Sequence, residues 1–210
     1  MKVLLTGFDP FGGAEINPAW EAVKRVRAPK GVELTKIEIP TAFRTSGEVL
    51  LGEMRKEAPD LTLLVGQAAG RKKISVERVA VNLDDARIPD NAGEKPDERP
   101  AVPGGPDAYF TRLPAKDVAR AISEAGVPAE VSNTAGTFVC NHLFYVLMHE
   151  LSVTGSPARG GFIHVPAVPE QLSGFPEGTP AMPLPDIVRG LEAALRFLAE
   201  CGERGSSGEI

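Results

Sequence analysis

The sequence lacks several features that would each indicate a particular class of protein. Its 210 residues include only two cysteines, far apart in the chain, which excludes a disulfide framework and favours a reducing compartment. No apolar run approaches the roughly 18 residues of a membrane-spanning helix. The apolar run at residues 3–5 is too short for the core of a signal peptide. We therefore expect a cytoplasmic protein with no membrane partner.

An excess of positive charge is also missing. The chain has 23 Lys and Arg against 28 Asp and Glu, a net charge of -5, and shows no basic stripe, so no nucleic-acid partner is expected. Hydrophobic residues make up 42% and charged residues 24%, which is ordinary for a soluble globular protein. A chain of this length can bury one sizeable core, and we expect a single domain over residues 1–210.

Strand and helix patterns alternate along the chain. The predicted strands lie at residues 2–6, 32–39, 61–65, 74–83, 128–132 and 161–165, and the predicted helices at residues 19–26, 45–57, 115–125, 140–151 and 185–201. Asn17 and Pro18 form a typical helix start, and residues 45–48 match a capping box. Residues 84–114 are rich in proline and charge, without periodicity. This order predicts an α/β fold around an open, twisted and mostly parallel sheet.

Cys140 lies where a glycine-containing loop meets an apolar helix. Free amides and the helix dipole at such a position favour negative charge, which predicts a lowered thiol pKa and a nucleophilic thiolate. His164 follows later, at the end of a short apolar strand. A cysteine followed by a distant histidine is typical of a cysteine hydrolase. The alternatives are that Cys140 is a small buried hydrophobe and that His164 is a core histidine.

Several polar and aromatic residues follow predicted strands. In open α/β sheets ligands bind at the carboxyl ends of the strands. Phe8 and Phe11 follow the first strand, Gln67 follows the third, Cys140 follows the fifth and His164 ends the last. We therefore expect these five side chains to meet at one edge of the sheet.

Glu77 lies within the predicted strand at residues 74–83. Alternation puts it on the same face as Val79 and Val81, where a carboxylate is costly unless it is paired. It could orient and stabilise an imidazolium, as the third member of a catalytic triad does. The alternative is an ordinary local salt bridge.

Phosphate and metal sites have weaker support. The glycine-rich residues 7–13 lack both the G-x-G-x-x-G spacing and the Gly-Lys-Ser/Thr ending of phosphate-binding loops. The acidic residues of the 84–114 segment that could bind a metal, Asp84, Asp85 and Asp90, are expected to lie in a solvated loop. Cys140 and His142 point to different sides of a helix, which disfavours a zinc site. We predict no metal.

Long segments of the chain resemble the pyrrolidone-carboxylate peptidase family (pyroglutamyl peptidase type I), a family of cysteine exopeptidases. The segments that carry the resemblance are LTGFDPFGG at 5–13, VGQAAGR at 65–71, ERVAVNLDDARIPDN at 77–91, TAGTFVCNHLF at 134–144 and GGFIHVP at 160–166. The resemblance extends from residue 1 to roughly residue 190. It implies a three-layer α/β/α sandwich that assembles as a homotetramer and needs no cofactor.

The resemblance also implies roles for individual residues. Cys140 matches the family's nucleophile, His164 its general base and Glu77 the third member of the triad. The residues in segments that line the family's pyroglutamyl pocket are Phe8, Phe11, Gln67, Phe138 and Val139. Arg87 matches an arginine near the oxyanion site.

The implied substrates are peptides with an N-terminal pyroglutamate, which is released through an acyl-enzyme. His164 is expected to keep Cys140 as a thiolate, and amides at the start of the Cys140 helix to hold the oxyanion. Two alternatives are a thiol-dependent amidase for another acyl group and a nucleoside- or phosphate-binding α/β protein.

Overall fold

In the computed structural model, which describes residues 1–206 and side chains as far as Cys201, strands and helices alternate along the chain. The strands are β1 (Lys2–Phe8), β2 (Glu33–Ile39), β3 (Leu61–Gln67), β4 (Ile74–Glu77), β5 (Val79–Val81), β6 (Ala108–Phe110), β7 (Ala129–Ser132) and β8 (Arg159–Val165). The α-helices are α1 (Pro18–Arg25), α2 (Phe43–Glu57), α3 (Ala115–Glu124), α4 (Val139–Val153) and α5 (Leu184–Ser206), and a 3₁₀-helix spans Pro169–Gly174. Within residues 1–206 no helix has the length and apolar character to cross a bilayer.

Six strands form the central sheet in the order β2-β1-β3-β8-β4-β7. All neighbouring strands are parallel except β4 and β8, so β4 and β7 run against the other four. Strands β3 and β8 lie in the middle and are buried along nearly their whole length, as continuous apolar runs predict. The predicted α/β fold with a mostly parallel sheet is confirmed.

Helices cover both faces of the sheet. Because side chains of a strand alternate between faces, Leu5 belongs to the core under α1, α3 and α5, whereas Leu4 belongs to the core under α2 and α4. Leu63 and Leu64 of β3 divide between the two cores in the same way. The result is the three-layer α/β/α sandwich.

The two predicted helix starts had different outcomes. Asn17 caps α1 as predicted, because its side chain accepts a hydrogen bond from the amide of Ala19. The predicted capping box at residues 45–48 is wrong, because α2 already begins at Phe43. The amide of Phe43 donates instead to Oδ2 of Asp90, at 2.8 Å. The cap therefore comes from a residue 47 positions away, which local spacing cannot reveal.

The prediction of one strand over residues 74–83 is also wrong. The chain leaves the main sheet at Arg78, so β4 pairs with β8 and β7, whereas β5 pairs with β6 in a separate two-stranded sheet. Ala80 is buried while Val79 and Val81 are half-buried, so the alternation expected from Glu77 onward does not continue past the break. Strand β6 lies inside the segment predicted to be an irregular loop.

Smaller differences concern element ends. Strands β1 and β3 each continue two residues further than predicted, to Phe8 and Gln67, and the last helix continues past residue 201 to Ser206. The extensions matter for function, because Phe8 and Gln67 become part of the ordered sheet rather than of loops.

Candidate active site

Glu77 and His164 are joined by a hydrogen bond between neighbouring strands. In the antiparallel β4–β8 pair Ser75 lies opposite His164, so Glu77, two residues on, is the diagonal neighbour of His164 on the same face. His164 Nδ1 lies 2.7 Å from Oε1 of Glu77. Both residues are buried, with exposed fractions of 3% and 0%. The structure therefore brings these two predicted residues together inside the sheet.

The charge states of this pair follow from burial and from the bond itself. Burial disfavours ionised Glu77, but the hydrogen bond with His164, followed by the Ser132 side chain and the positive charge of Arg71, holds the pKa of Glu77 below its ordinary value. Burial lowers the pKa of His164, against the opposing influence of Glu77. The pair at neutral pH is a carboxylate and a neutral imidazole. With the Nδ1 proton directed at Glu77, His164 Nε2 is a proton acceptor.

Cys140 lies on the same side of the sheet as His164, against the core that contains Phe162. It is the second residue of α4, and its Sγ lies above Gly66 of β3, where an added Cβ would come within 2.9 Å of the sulfur. Gly66 is the register partner of His164 in the parallel β3–β8 pair. The thiol and the imidazole therefore meet at the carboxyl ends of two central strands, and only a glycine at position 66 leaves space for the sulfur.

The path of the chain to Cys140 differs from the predicted one. Strand β7 is parallel to β4 and so runs against β8, which means that its carboxyl end points away from the expected edge. Residues 133–138 must return toward that edge before α4 begins. The common location of Cys140 and His164 was predicted, but the prediction assumed that β7 runs parallel to β8, and that assumption is wrong.

The thiol pKa is shifted in the direction opposite to the prediction. Burial, followed by the negative charge of Glu77, raises the pKa of the Cys140 thiol to about 12, with Arg71 opposing the shift. The favourable effect of a helix start falls off within one turn and is smaller than the cost of desolvating a thiolate. This shift favours the neutral thiol over the thiolate that the sequence predicts, at a residue that is itself half-buried.

Arg71 is a residue at this site to which the sequence reasoning assigned no role. Its Nη1 lies 2.6 Å from Oε1 of Glu77, and its Nη2 donates to the carbonyl of Thr134 at 2.9 Å. An arginine after a Gly-rich turn reads as a solvated surface residue. The signal that could have found it is the predicted burial of Glu77, since a buried carboxylate requires a positive partner.

Asn141 is a second missed residue and fixes the start of α4. Its side-chain amide accepts from the amide of Val81 and donates to the carbonyls of Val81 and Leu83, at 3.0, 2.9 and 3.1 Å. It is fully buried. These bonds attach the residue next to Cys140 to the segment that follows Glu77, so the start of α4 is held against the region of β4 and β5.

The aromatic residues predicted to line a pocket occupy different environments. The rings of Phe11 and Phe138 are half-buried and lie 5.1 Å apart between centroids, and Phe43 packs edge-on against Phe138. Phe8 is only 2% exposed and packs on Phe162 inside the core. The observed ring neighbour of Phe11 is therefore Phe138 rather than Phe8. Val139 is fully buried, which leaves its main chain for contacts.

Gln67 ends β3 and is held by a second glutamine. Its Nε2 donates to Oε1 of Gln171 at 3.0 Å, while Nε2 of Gln171 donates to the carbonyl of Ile16 at 3.0 Å. The amide of Val168 also donates to Oε1 of Gln171, at 3.3 Å. Since Gln171 is fixed by a carbonyl on one side and an amide on the other, Gln67 must direct its Nε2 to Gln171 and its Oε1 elsewhere.

Arg87 is exposed, and its segment lies beside the loop that precedes Cys140. The amide of Asp85 donates to the carbonyl of Thr137, and the Thr137 hydroxyl donates to the carbonyl of Asp85. The assignment of Arg87 to an oxyanion site stays a prediction. The amides that begin α4 are available for the same task, because Phe138 at the N-cap position provides no side-chain cap.

The remaining candidate ligands form separate contacts. His142 pairs with Asp84 at 2.8 Å, His149 lies 3.0 Å from the hydroxyl of Tyr109, and Asp90 caps α2. Within residues 1–201 no three His, Cys, Asp or Glu side chains are arranged to hold a metal ion.

One cavity lies away from the thiol. Its volume is about 780 Å³, and its lining includes Met1, Asp60, Glu150 and Arg159. Met1 and Arg159 flank the amino ends of β1 and β8, whereas Cys140 lies at the carboxyl ends. The presence of a cavity therefore does not identify the candidate site, which is identified by the convergence of its side chains.

Comparisons with known proteins agree with one another. The family model described as "Pyroglutamyl peptidase" matches residues 1–200. A pyrrolidone-carboxylate peptidase of Lactobacillus johnsonii is 52% identical over 206 residues, covering 98% of this chain and 95% of the relative. One from Streptomyces coelicolor is 52% identical over 201 residues, covering 94% of this chain and 92% of the relative.

Solved structures give the same result. The crystal structure of Bacillus amyloliquefaciens pyroglutamyl peptidase I has a TM-score of 0.91 and 49% identity, covering 95% of this chain and 97% of that one. A mutant pyrrolidone carboxyl peptidase from Pyrococcus furiosus has a TM-score of 0.91 and 40% identity, covering 95% and 99%.

Proposed function

Because this chain belongs to the pyroglutamyl peptidase family, we propose that it removes N-terminal pyroglutamate from peptides and that Cys140, His164 and Glu77 perform the chemistry. The observation that carries this assignment is the 2.7 Å bond between His164 and Glu77 directly beside a thiol that lies over Gly66. A nucleophile, a base and a group that orients the base are the three parts that covalent acyl transfer requires.

Attack begins from the neutral pair. His164 Nε2 takes the thiol proton while Cys140 Sγ forms a bond to the carbonyl carbon that links pyroglutamate to the next residue. The imidazolium that results is stabilised by Glu77, whose pKa is held below its ordinary value by His164 and Arg71 despite burial. Coupling proton transfer to attack avoids a free thiolate, which burial strongly disfavours at this position.

The negative charge that develops on the carbonyl oxygen needs hydrogen-bond donors. The main-chain amides of the first turn of α4 point toward the region of the thiol and have no side-chain cap. Arg87 is a further candidate, since its segment is tied to the loop before Cys140 through Asp85 and Thr137.

The tetrahedral intermediate then collapses. The imidazolium gives its proton to the leaving amine, the C–N bond breaks, and the shortened peptide departs to leave a thioester on Cys140. His164 Nε2 next takes a proton from water while the water oxygen bonds to the thioester carbon. The C–S bond then breaks, the imidazolium returns its proton to Sγ, and pyroglutamate leaves. This chemistry requires no metal or organic cofactor.

Recognition of the pyroglutamyl ring requires partners for its N–H and its C=O. Gln67 can accept the ring N–H through Oε1, because its Nε2 is already bonded to Gln171. The half-buried rings of Phe11 and Phe138 offer an apolar wall, and the main chain at Val139 lies next to the thiol. Phe8 belongs to the core cluster against which Phe138 packs. A substrate that leaves buried polar groups of the site unpaired should have a kcat/KM lower by as much as about 10⁴-fold.

We also propose that the chain acts as one catalytic domain in the cytoplasm and assembles as a homotetramer. Large apolar side chains that remain exposed, Ile88 at 51% and Phe110 at 71%, support association with further copies. Light scattering at micromolar concentration should give a mass near four times 22.3 kDa. A mass near that of one chain would contradict the assembly without affecting the chemistry.

The decisive assay is the release of pyroglutamate from a pyroglutamyl arylamide. The wild type should turn the substrate over, and a thiol blocker or Cys140→Ala should abolish turnover, while Cys201→Ala serves as the matched thiol control and should leave it nearly unchanged. A panel of other blocked arylamides separates this activity from another thiol-dependent amidase. Full activity in Cys140→Ala would exclude the thiol mechanism.

A further inference from the structure

One oxygen of the Glu77 carboxylate accepts two hydrogen bonds. Oε1 lies 2.7 Å from His164 Nδ1 and 2.6 Å from Arg71 Nη1, whereas Oε2 is buried without a hydrogen-bond partner among the described residues. The two donors on Oε1 restrict the carboxylate to one orientation. Arg71 also supplies a permanent positive charge to a carboxylate that is fully buried.

The second half of the guanidinium holds the loop that leads to the nucleophile. Arg71 Nη2 donates to the carbonyl of Thr134 at 2.9 Å, and the hydroxyl of Ser132 donates to the same carbonyl at 3.0 Å. Thr134 lies in the stretch where the chain turns back from β7 toward α4. One planar group therefore connects the acid of the triad with the segment that positions its thiol.

The turn between β3 and β4 determines where Arg71 lies. The amide of Arg71 donates to the carbonyl of Ala68 at 3.2 Å, and Gly70 between them has a φ of 92°, which favours glycine. The side chain of Arg71 is 26% exposed, so its charge is only partly screened by solvent. A lysine at this position would carry the charge but could not make both bonds from a rigid fork.

We propose that Arg71 is a positioning residue of the triad, which fixes the Glu77 carboxylate on His164 and couples that carboxylate to the Cys140 loop. The assignment rests on the triad proposed above. Arg71 need not touch the substrate, and its effect on turnover passes through Glu77.

Removing Arg71 should shift the pKa values of Glu77, His164 and Cys140 in the same direction. Besides burial, the groups that shift the pKa of both His164 and Cys140 are Glu77 and Arg71. Burial and Glu77 raise the pKa of Cys140, and Arg71 lowers it; burial and Arg71 lower the pKa of His164. Arg71 also lowers the pKa of Glu77. Its loss therefore raises all three pKa values.

The experiment is a pH profile of kcat/KM on a pyroglutamyl arylamide. Arg71→Gln should lower kcat/KM by roughly 10- to 100-fold, as expected for a residue that orients a functional histidine through its partner. The acid limb should move to higher pH, and Arg71→Lys should fall between this variant and the wild type. The double variant Glu77→Gln/Arg71→Gln should have a kcat/KM only slightly below that of Glu77→Gln, because both substitutions act through one carboxylate.

Arg78→Gln is the matched control. Arg78 donates to the side chain of Asn133 at 2.8 Å, so this variant removes an arginine bond to the same loop without touching Glu77. It should keep the wild-type profile. A wild-type kcat/KM and acid limb in Arg71→Gln would overturn the assignment. An equal loss at every pH that persists in the Glu77→Gln background would also overturn it, because Arg71 would then only hold the loop.

Two further measurements keep the test decisive. If Arg71→Gln does not fold, Arg71→Lys takes its place, and an unshifted acid limb in a folded Arg71→Lys overturns the assignment. If the wild type does not cleave the arylamide, the proposed function fails, and iodoacetamide alkylation of Cys140 replaces turnover. Alkylation in Arg71→Gln should then require higher pH than in the wild type, and an unchanged dependence would overturn the role of Arg71.

Discussion

The molecule contains two buried histidine–carboxylate pairs that look alike locally and differ in what surrounds them. His164 bonds to Glu77 at 2.7 Å and His142 bonds to Asp84 at 2.8 Å, in both cases through Nδ1. His164 faces the carboxyl ends of the central strands beside the thiol. His142 packs against the ring of Phe43 at 5.6 Å, beneath α2.

The two carboxylates also have different partners. Asp84 places both oxygens on His142, at 3.0 and 2.8 Å, and its arginine, Arg99, stays 3.6 Å away. Glu77 shares one oxygen between His164 and Arg71, and its other oxygen has no hydrogen-bond partner in the part of the chain that the structure describes. A buried pair alone therefore does not indicate catalysis. What distinguishes the His164 pair is the thiol of Cys140, which lies beside the histidine whose Nε2 is not bonded to the carboxylate.

Removing each histidine should separate the two pairs most strongly. His164→Ala should lower the rate by about 10²–10⁴-fold, because the proposed general base is lost. His142→Ala should instead lower the free energy of unfolding by about 1–3 kcal/mol, since Asp84 is left buried without its partner. Turnover per folded molecule and denaturant unfolding measure both effects. Equal losses of turnover in the two variants would contradict the distinction.

Neutralising each carboxylate should give a smaller contrast. Glu77→Gln should cost roughly 10- to 100-fold in kcat/KM, less than His164→Ala, because the ring keeps a hydrogen-bonding neighbour but loses stabilisation of the imidazolium. Asp84→Asn should leave kcat/KM close to that of the wild type. If Glu77→Gln matched the wild type across pH, Glu77 would be an ordinary salt-bridge partner.

A glycine lies beside each histidine, and the two should respond differently to a methyl group. In Gly66→Ala the Cβ would come within 2.7 Å of Phe162 and 2.9 Å of Cys140 Sγ, which should displace the thiol and cost up to about 10²-fold in kcat. In Gly47→Ala the Cβ would meet His142 Nε2 at 3.9 Å, an ordinary contact, and the helix should gain up to about 1 kcal/mol. Kinetics and thermal unfolding of the two variants test this. A fully active Gly66→Ala would show that the thiol does not lie over Gly66.

The smallest effect concerns stability at acid pH. Burial lowers the pKa of His164 below its ordinary 6.5, so the unfolded chain binds the proton more readily than the folded one. The resulting stability is present above pH 6.5 and is lost as the pH falls through the folded pKa. His164→Gln should therefore flatten the fall in melting temperature below pH 6.5. An unchanged slope would contradict a neutral, buried His164.

Parts of this site could be predicted because their signals are local. Cys140 stands where a loop meets an apolar helix, and His164 ends a continuous apolar strand, so each position follows from its neighbours. The cost of burying Glu77 without a partner is a similar local signal. The fold class followed from the alternation of strands and helices.

Other features depend on contacts that no local pattern contains. Asp90 caps α2 from 47 residues away, and Gln171 orients Gln67 across 104 positions. The reversal of β4 and β7 follows from how the whole sheet packs. The raised thiol pKa reflects burial, which becomes known only when both cores are assembled. The sequence around Arg71 predicts a surface residue, and its contact with Glu77 becomes known only from the structure.

The 87 residues that separate Glu77 from His164 along the chain have a consequence for folding kinetics. Closing so long a loop is entropically costly, and pairs of this kind form late relative to local helices. The two side chains also meet only in one register of β4 against β8, since a slip by one residue turns Glu77 to the opposite face. Recovery of turnover during refolding therefore reports completion of the sheet, and helix content measured by circular dichroism should return before it.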